Sequence, residues 1–125
     1  MDPIDLHRLA PAPGRRLLVV GGCGGIGTRL VRAALDEGLE VANMDMPASL
    51  AQRPVLAGEW QIPCEVARSE SVAQAFAALS AGWQALDHLV YLSGFTPPPA
   101  TVRETTDAAW DEVVDVNARG AFLAV

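Results

Sequence analysis

The stretch LLVVGGCGGIGTRLVRAAL, Leu17 to Leu35, decides the fold of this chain. An apolar run ends at Val20, five glycines follow within Gly21–Gly27, and apolar residues recur at helical spacing from Ile26. A strand that runs directly into a helix leaves the first helical N–H groups unsatisfied, and these groups attract anions together with the helix dipole. Glycines at such a junction remove the side chains that would keep a phosphate away. The stretch therefore predicts a site for a dinucleotide diphosphate.

Each glycine of this loop is predicted to have its own role. Gly21 is expected to allow the tight turn, and Gly24 and Gly25 are expected to let the backbone approach a pyrophosphate. Gly27 is expected to let the helix pack closely on the sheet. The alternative is that the glycines only make a tight strand-to-helix turn, since a glycine motif by itself is weak evidence for a ligand.

A carboxylate at the end of the second predicted strand favours the dinucleotide. Asp45 lies eighteen residues after Gly27, where an acidic side chain accepts hydrogen bonds from ribose hydroxyls. A 2′-phosphate ~4 Å away would be repelled by about 1–4 kcal/mol, depending on the local dielectric. The neighbours of Asp45 are Met44 and Met46 rather than Arg, so NAD is predicted to be preferred over NADP. The alternative for Asp45 is a helix or turn cap.

Alternating strand and helix patterns predict the fold class. The predicted strands are 16–20, 39–46, 59–63 and 86–94, and the predicted helices begin near residues 26, 69 and 105. This order gives an α/β, Rossmann-like, doubly wound parallel sheet of about four strands, in the order 3-2-1-4 with helices on both faces. Residues 1–14, which contain three prolines, are predicted to form an N-terminal arm. Residues 15–125 are predicted to form one domain that is truncated on its C-terminal side, and a short element within 47–57 is left open.

Composition excludes several classes of partner. The net charge is −6, and no basic stripe is visible, so neither nucleic acid nor a membrane is an expected partner. The chain has two cysteines and no apolar stretch behind a basic start, which favours a reduced, cytoplasmic location. No metal site is expected, because His7 and His88 have no neighbouring ligands at suitable spacing.

The residues from Arg16 to Val125 resemble the short-chain dehydrogenase/reductase family. Gly21, Gly25 and Gly27 match the glycines of the family's Thr-Gly-x-x-x-Gly-x-Gly loop, although Val20 stands in place of Thr. Cys64 to Val66 is similar to the Asp-Val pair after the third strand that contacts adenine, with Glu65 in place of Asp. DHLVYLSG, which ends at Gly94, lies where the family has Asp-x-Leu-Val-Asn-Asn-Ala-Gly.

The last stretch, Trp110 to Val125, is similar to the long helix of the classical branch. On that match Asn117 falls on the helix Asn that holds a water of the catalytic proton relay, and it is the catalytic candidate of this chain. The glycine loop also fits the spacing of the extended branch, Gly21-x-x-Gly24-x-x-Gly27. The cofactor-binding candidates, from the loop, Asp45 and the resemblance together, are Gly21, Cys23, Gly24, Gly25, Ile26, Gly27, Asp45, Met46, Glu65, Val66, Ser93 and Gly94.

The family's catalytic Ser and Tyr-x-x-x-Lys are not found in this sequence. The chain has no Lys, and its single Tyr, Tyr91, lies in the fourth predicted strand. The resemblance implies the NAD(P)-binding half of an oxidoreductase that moves a hydride between a nicotinamide and an alcohol or carbonyl substrate, inactive alone. Phe122 and Leu123, expected to be exposed on the last helix, imply a homo-oligomer. The alternatives are a non-catalytic NAD-binding or interaction module, and a fragment of an extended-branch epimerase or dehydratase.

Overall fold

A four-stranded parallel sheet forms the centre of the molecule. A computed structural model describes residues 10–125. The strands are β1 Arg16–Val20, β2 Glu40–Asp45, β3 Glu59–Pro63 and β4 His88–Tyr91. Their order in the sheet is β3-β2-β1-β4, and every pairing is parallel. The predicted strand order and parallel topology are confirmed.

Helices connect the strands. Their bounds are α1 Gly25–Asp36, α2 Pro47–Gln52, α3 Ser69–Gly82, α4 Asp107–Val114, a π-helical turn Asp115–Arg119, and α5 Gly120–Ala124. The segment that the sequence left open contains α2, which begins with Pro47 at a position where its missing N–H costs nothing. Thr106 caps the N-terminus of α4, one of the two capping positions that the sequence predicted. Its hydroxyl accepts a hydrogen bond from the Ala109 N–H at 3.2 Å.

Both faces of the sheet are covered, which explains the unbroken apolar run of β1. Leu18 and Val20 pack into one core with residues of α3 and Ala124 of α5. Val19 points to the other face and packs with Val31 of α1. Because successive side chains of a strand point to opposite faces, a central strand between two helical layers is apolar at every position.

β4 is an edge strand, as the sequence predicted. Among the described residues it pairs with β1 alone, and its residues Leu89–Tyr91 are half-buried. On the last helix Phe122 is 79% exposed, but Leu123 packs against the core. The expectation that both are exposed is therefore wrong for Leu123, because adjacent helical residues point about 100° apart and cannot share the outer face.

Most of the predicted N-terminal arm, residues 1–9, lies outside the described residues. The end of the arm contacts the domain. The Gly14 N–H donates to the Gly38 carbonyl at 2.8 Å, at the turn between α1 and β2.

Candidate functional site

The turn after β1 depends on Gly21. Its φ is +92°, a conformation that residues with a Cβ rarely adopt. A Cβ there would also lie 2.7 Å from the carbonyl carbon of Leu92. The Gly21 N–H donates to the Met44 carbonyl at 2.7 Å, which continues the β1–β2 ladder into the loop. Both conformation and space therefore require glycine at this position.

The entry to α1 is open. A Cβ on Gly25 would have no atom within 4 Å, and one on Gly24 would approach only the Gly21 carbonyl, at 3.9 Å. Gly24 is the N-cap, so no side chain caps the helix, and its first turn contains no acidic residue. Ile26 is 75% exposed beside it. The first N–H groups of α1 thus face a surface that no side chain of residues 10–125 caps, as an anion site requires.

Gly27 allows a close contact between α1 and the glycine loop, whereas the sequence predicted a close contact between α1 and the sheet. A Cβ on Gly27 would lie 2.6 Å from Cα of Gly22, so the residue allows the loop itself, more than the sheet, to fold against the helix. The Thr28 hydroxyl reinforces this fold by donating to the Cys23 carbonyl at 3.3 Å.

Asp45 is directed towards the glycine loop. One carboxylate oxygen accepts from the Cys23 N–H at 2.8 Å, and the other accepts from the Met46 N–H, also at 2.8 Å. Each oxygen retains a free lone pair, because an ionised carboxylate has about four acceptor sites. Asp45 therefore braces the loop and keeps acceptors available at the mouth of the adjoining cleft.

The cleft has a volume of about 1260 Å³ and lies at the carboxyl ends of the strands. The candidate residues that line it are Gly21, Cys23, Gly24, Asp45, Met46, Glu65, Val66, Ser93 and Gly94. They come together because the carboxyl ends of parallel strands meet at one edge of the sheet. Gly25 and Ile26 lie on the adjoining surface near Arg29. Gly27 and Asn117 are not part of the lining.

The segment after β3, residues 64–66, contributes both apolar and charged side chains to the wall of the cleft. Burial, with the nearby carboxylates of Asp45 and Glu65, raises the pKa of the Cys64 thiol, so this cysteine stays protonated and packs as an apolar residue. Glu65 forms a surface ion pair with Arg68 at 3.6 Å. Val66 is buried beneath the wall.

Asn117 lies in the π-helical turn and clamps the loop after β4. Its Oδ1 accepts from the Phe95 N–H at 3.2 Å, and its Nδ2 donates to the carbonyls of Phe95 and Val113 at 2.8 and 2.9 Å. Both amide protons are thus used within the protein. The Tyr91 hydroxyl donates to the Val116 carbonyl at 2.6 Å, in the same turn. Burial raises the pKa of Tyr91.

Three polar residues near the loop were missed by the sequence reasoning. Asn43 and Glu59 are buried on β2 and β3, and Arg53 pairs with Glu59 from the connection between α2 and β3. A signal was present, since Asn43 interrupts the apolar run Val41–Met44 in a strand of a parallel sheet that helices cover on both faces. Its partners could not be identified from the sequence because they depend on the β2–β3 register.

The described residues contain neither a grouped set of metal ligands nor a helix that could span a membrane. Between residues 10 and 125, no three His, Cys, Asp or Glu side chains are grouped so that they could hold a metal ion. No helix in that range is long and apolar enough to span a bilayer.

Comparison with known proteins defines the class. A family model described as enoyl-(acyl carrier protein) reductase matches residues 21–125. Because the match covers most of the sequence, the chain belongs to the short-chain dehydrogenase/reductase family of oxidoreductases. The resemblance to this family noted in the sequence is thereby confirmed.

Individual relatives are dehydrogenases and reductases. The (+)-borneol dehydrogenase 2 of Salvia officinalis is 31% identical over 118 residues, covering 90% of this chain and 42% of that protein. The L-fucose dehydrogenase of Bos taurus is 29% identical over 111 residues, covering 87% and 41%. A solved 3-ketoacyl-(acyl-carrier-protein) reductase from Brucella melitensis, complexed with NADH, has a TM-score of 0.82 at 21% identity, covering 90% and 48%. The chain spans less than half the length of these relatives.

Proposed function

We propose that this chain binds NAD and is the cofactor-binding part of a short-chain dehydrogenase/reductase that acts on an alcohol or carbonyl substrate. The observation that carries the proposal is the Asp45 carboxylate, held by the Cys23 N–H at 2.8 Å beside an uncapped helix N-terminus. This arrangement offers acceptors for ribose hydroxyls and donors for a diphosphate within one cleft.

The residues present fit such a cofactor. In the proposed complex the backbone from Gly24 to Ile26 would face the diphosphate, where an added Cβ on Gly25 would meet nothing within 4 Å. Asp45 and Met46 would hold the adenosine ribose, while Glu65 and Val66 would flank the adenine. The nicotinamide would accept or supply a hydride when bound. Cys23 and Gly21 would border the diphosphate, while Ser93 and Gly94 would border the nicotinamide end.

The charge around the cleft favours NAD over NADP. Asp45, Glu65, Asp111 and Glu112 all line it, and the Arg53 that reaches its wall is paired with Glu59. A third phosphate would add two negative charges near these carboxylates, while the positive charge of Arg53 is already balanced by Glu59. Repulsion from Asp45 alone, about 1–4 kcal/mol at ~4 Å, would give roughly a tenfold to thousandfold preference for NAD.

Turnover by residues 1–125 alone is not expected. The chain has no Lys, and the hydroxyl of its single tyrosine, Tyr91, donates to a backbone carbonyl in the helix. A tyrosine whose pKa is raised by burial is a poor proton acceptor at neutral pH. Asn117 remains the predicted holder of a relay water, in a reaction that needs the family's Ser, Tyr and Lys.

The remaining expectations concern assembly and location. Trp110, Val114 and Phe122 are exposed large apolar residues of the last helices, and exposed apolar surface of this kind favours a homo-oligomer. Two free cysteines are compatible with the proposed cytoplasmic location.

Titration calorimetry with NAD and NADP tests the proposal. We expect NAD to bind at least tenfold more tightly than NADP. Asp45→Asn should weaken NAD binding about tenfold and narrow the gap to NADP, because the ribose loses a charged acceptor and the 2′-phosphate loses a repulsive neighbour. Asp36→Asn, the same change at the exposed end of α1, should leave both affinities unchanged. Absence of NAD binding, or tighter binding of NADP, would overturn the proposal.

A further inference from the structure

A chain of buried polar groups lies directly beneath the glycine loop. The Gly22 N–H donates to Asn43 Oδ1 at 3.0 Å, and Asn43 Nδ2 donates to Glu59 Oε1 at 2.9 Å. The Asn43 side chain is fully buried, and so is that of Glu59. Arg53 completes the chain with an ion pair to the same carboxylate. The loop backbone is therefore connected through three side chains to the α2–β3 connection.

Strand register brings these side chains together. In the parallel pairing of β2 with β3, Val41 lies opposite Glu59. Asn43 is two residues further along β2, so it points to the same face of the sheet as Val41 and Glu59. A Cβ on Gly22 would overlap Asn43, which shows how closely the loop sits on this amide.

Asn43 Nδ2 also contacts the weak acceptor Cys23 Sγ at 3.6 Å, but two stronger partners fix the orientation of the amide. The Gly22 N–H requires an acceptor, and the Glu59 carboxylate requires a donor. With Oδ1 towards the loop and Nδ2 towards Glu59, both requirements are met. Without the acceptor at residue 59 the amide could turn over, and its NH₂ group would then face the Gly22 N–H. Glu59 thus controls whether the loop amide is held inward.

The charge of Glu59 is itself compensated. Its other oxygen accepts from the Leu56 N–H at 3.0 Å, and Arg53 supplies the counter-charge. A buried carboxylate without such partners is costly. Arg53 is 11% exposed, and its Nε and Nη1 atoms have no hydrogen-bond partner among the described residues. Two nitrogens of the ion pair thus lack hydrogen bonds within residues 10–125, and a buried ion pair of this kind is not expected to add much to the stability of the fold.

We propose that Asn43, Glu59 and Arg53 are positioning residues of the dinucleotide site. They hold the Gly22 N–H inward, so that the loop backbone from Gly21 to Gly25 keeps the shape that a diphosphate requires. None of these three side chains needs to touch the cofactor. The inference rests on the proposed function, because it assigns these residues to the NAD site.

Two double variants separate positioning from stability. Arg53→Met/Glu59→Leu removes the ion pair and the acceptor for Asn43. Arg53→Met/Glu59→Gln removes the same charges but keeps an amide oxygen that can accept from Asn43. Loss of a buried ion pair is often tolerated, but Glu59→Leu also leaves the Asn43 and Leu56 donors without an acceptor. Urea unfolding should therefore show Arg53→Met/Glu59→Leu as the less stable variant, and NAD binding is compared under conditions in which both variants are fully folded.

NAD affinity is expected to distinguish the two variants. Arg53→Met/Glu59→Leu should bind NAD about tenfold more weakly than the wild type, a change of about 1.4 kcal/mol. Arg53→Met/Glu59→Gln should bind within about twofold of the wild type, which is a rescue that a purely structural role does not predict. Equal affinities for both variants and the wild type would overturn the inference while leaving NAD binding in place. Failure of the wild type to bind NAD would overturn the proposed function instead.

Hydrogen exchange on the wild-type protein gives an independent measurement if a double variant does not fold. The Gly22 amide should exchange slowly without NAD, and NAD should not change its rate, because its acceptor is within the protein. The Gly25 amide should exchange quickly without NAD and become protected when NAD binds. A Gly22 amide that exchanges as fast as the Gly25 amide would show that Asn43 does not hold it, and would overturn the inference.

Discussion

The two sides of the cleft are built differently. On the β1–β2 side, Val19 and Met44 are fully buried, and the loop is held by side chains from the strand below it. On the β4–α4 side the strand is an edge, Leu89–Tyr91 are half-buried, and Trp110 of the adjoining helix is 65% exposed. The glycine loop is thus supported by buried side chains directly beneath it, whereas the last helices are attached by hydrogen bonds of Tyr91 and Arg119 and by the packing of Leu123 and Ala124 on the core.

Truncation of matched residues in the two strands should give the largest difference. Leu18 of β1 is fully buried, and its register partner on β4, Leu89, is partly buried. We expect Leu18→Ala to lower the free energy of unfolding by about 2–5 kcal/mol, because the cavity cannot collapse at the centre of a sheet. Leu89→Ala should cost less than half of this. Urea denaturation of both variants measures the difference, and equal losses would contradict the comparison.

Removing the Tyr91 hydroxyl tests how the last helices are attached on the β4–α4 side of the cleft. Tyr91→Phe deletes the hydrogen bond to the Val116 carbonyl at 2.6 Å and keeps the ring. The expected loss is about 1–2 kcal/mol of unfolding free energy, since a partly buried carbonyl is left without its donor. Faster hydrogen exchange should be confined to the π-helical turn and α5. Unchanged exchange there would show that Tyr91 does not hold the turn.

A pH dependence of smaller size is expected at the start of β4. Hydrogen bonds from the Arg16 N–H and the Arg15 side chain hold the pKa of Asp87 below its ordinary value of 3.8. A carboxyl whose pKa is lowered by folding stabilises the folded state above its unfolded pKa, and this contribution is lost as the pH falls through the folded value. Asp87→Asn should therefore reduce stability at pH 7 and flatten the acid side of the stability curve below about pH 4. Asp36→Asn is the control, and an equal flattening in that variant would contradict the assignment.

Much of the fold was predictable from local pattern. The strand at 16–20 and the helix that follows it were predicted from an apolar run, a glycine loop and helical spacing, and the strand order followed from the parallel topology. The short helix Pro47–Gln52 could not be predicted from the sequence, because six residues are too few to show a helical period. The prediction that Leu123 is exposed was wrong, because the packing of the last helix onto the core decides which of two adjacent apolar residues is covered.

The candidate site likewise contains residues that the sequence could identify and residues that it could not. Gly21 and Asp45 could be identified because their residue types and spacing follow from what a strand–loop–helix junction needs. The Asn43–Glu59–Arg53 network could not, since its members are sixteen or fewer residues apart in sequence but meet only through the β2–β3 register and the path of the connection. Asn117 was found by resemblance, but its bonds to Phe95 became visible only in the folded chain.

The amino-acid sequence by itself determined the parallel α/β topology, the glycine loop and the acidic residue at the end of β2, because these depend on local conformation and on the alternation of apolar residues. Only the tertiary structure decided which polar groups are buried beneath the loop, which side of the last helix is covered, and which hydrogen bonds Tyr91 and Asn117 make. The physical reason is that hydrogen bonds between distant residues depend on strand register and helix packing, which local composition does not encode.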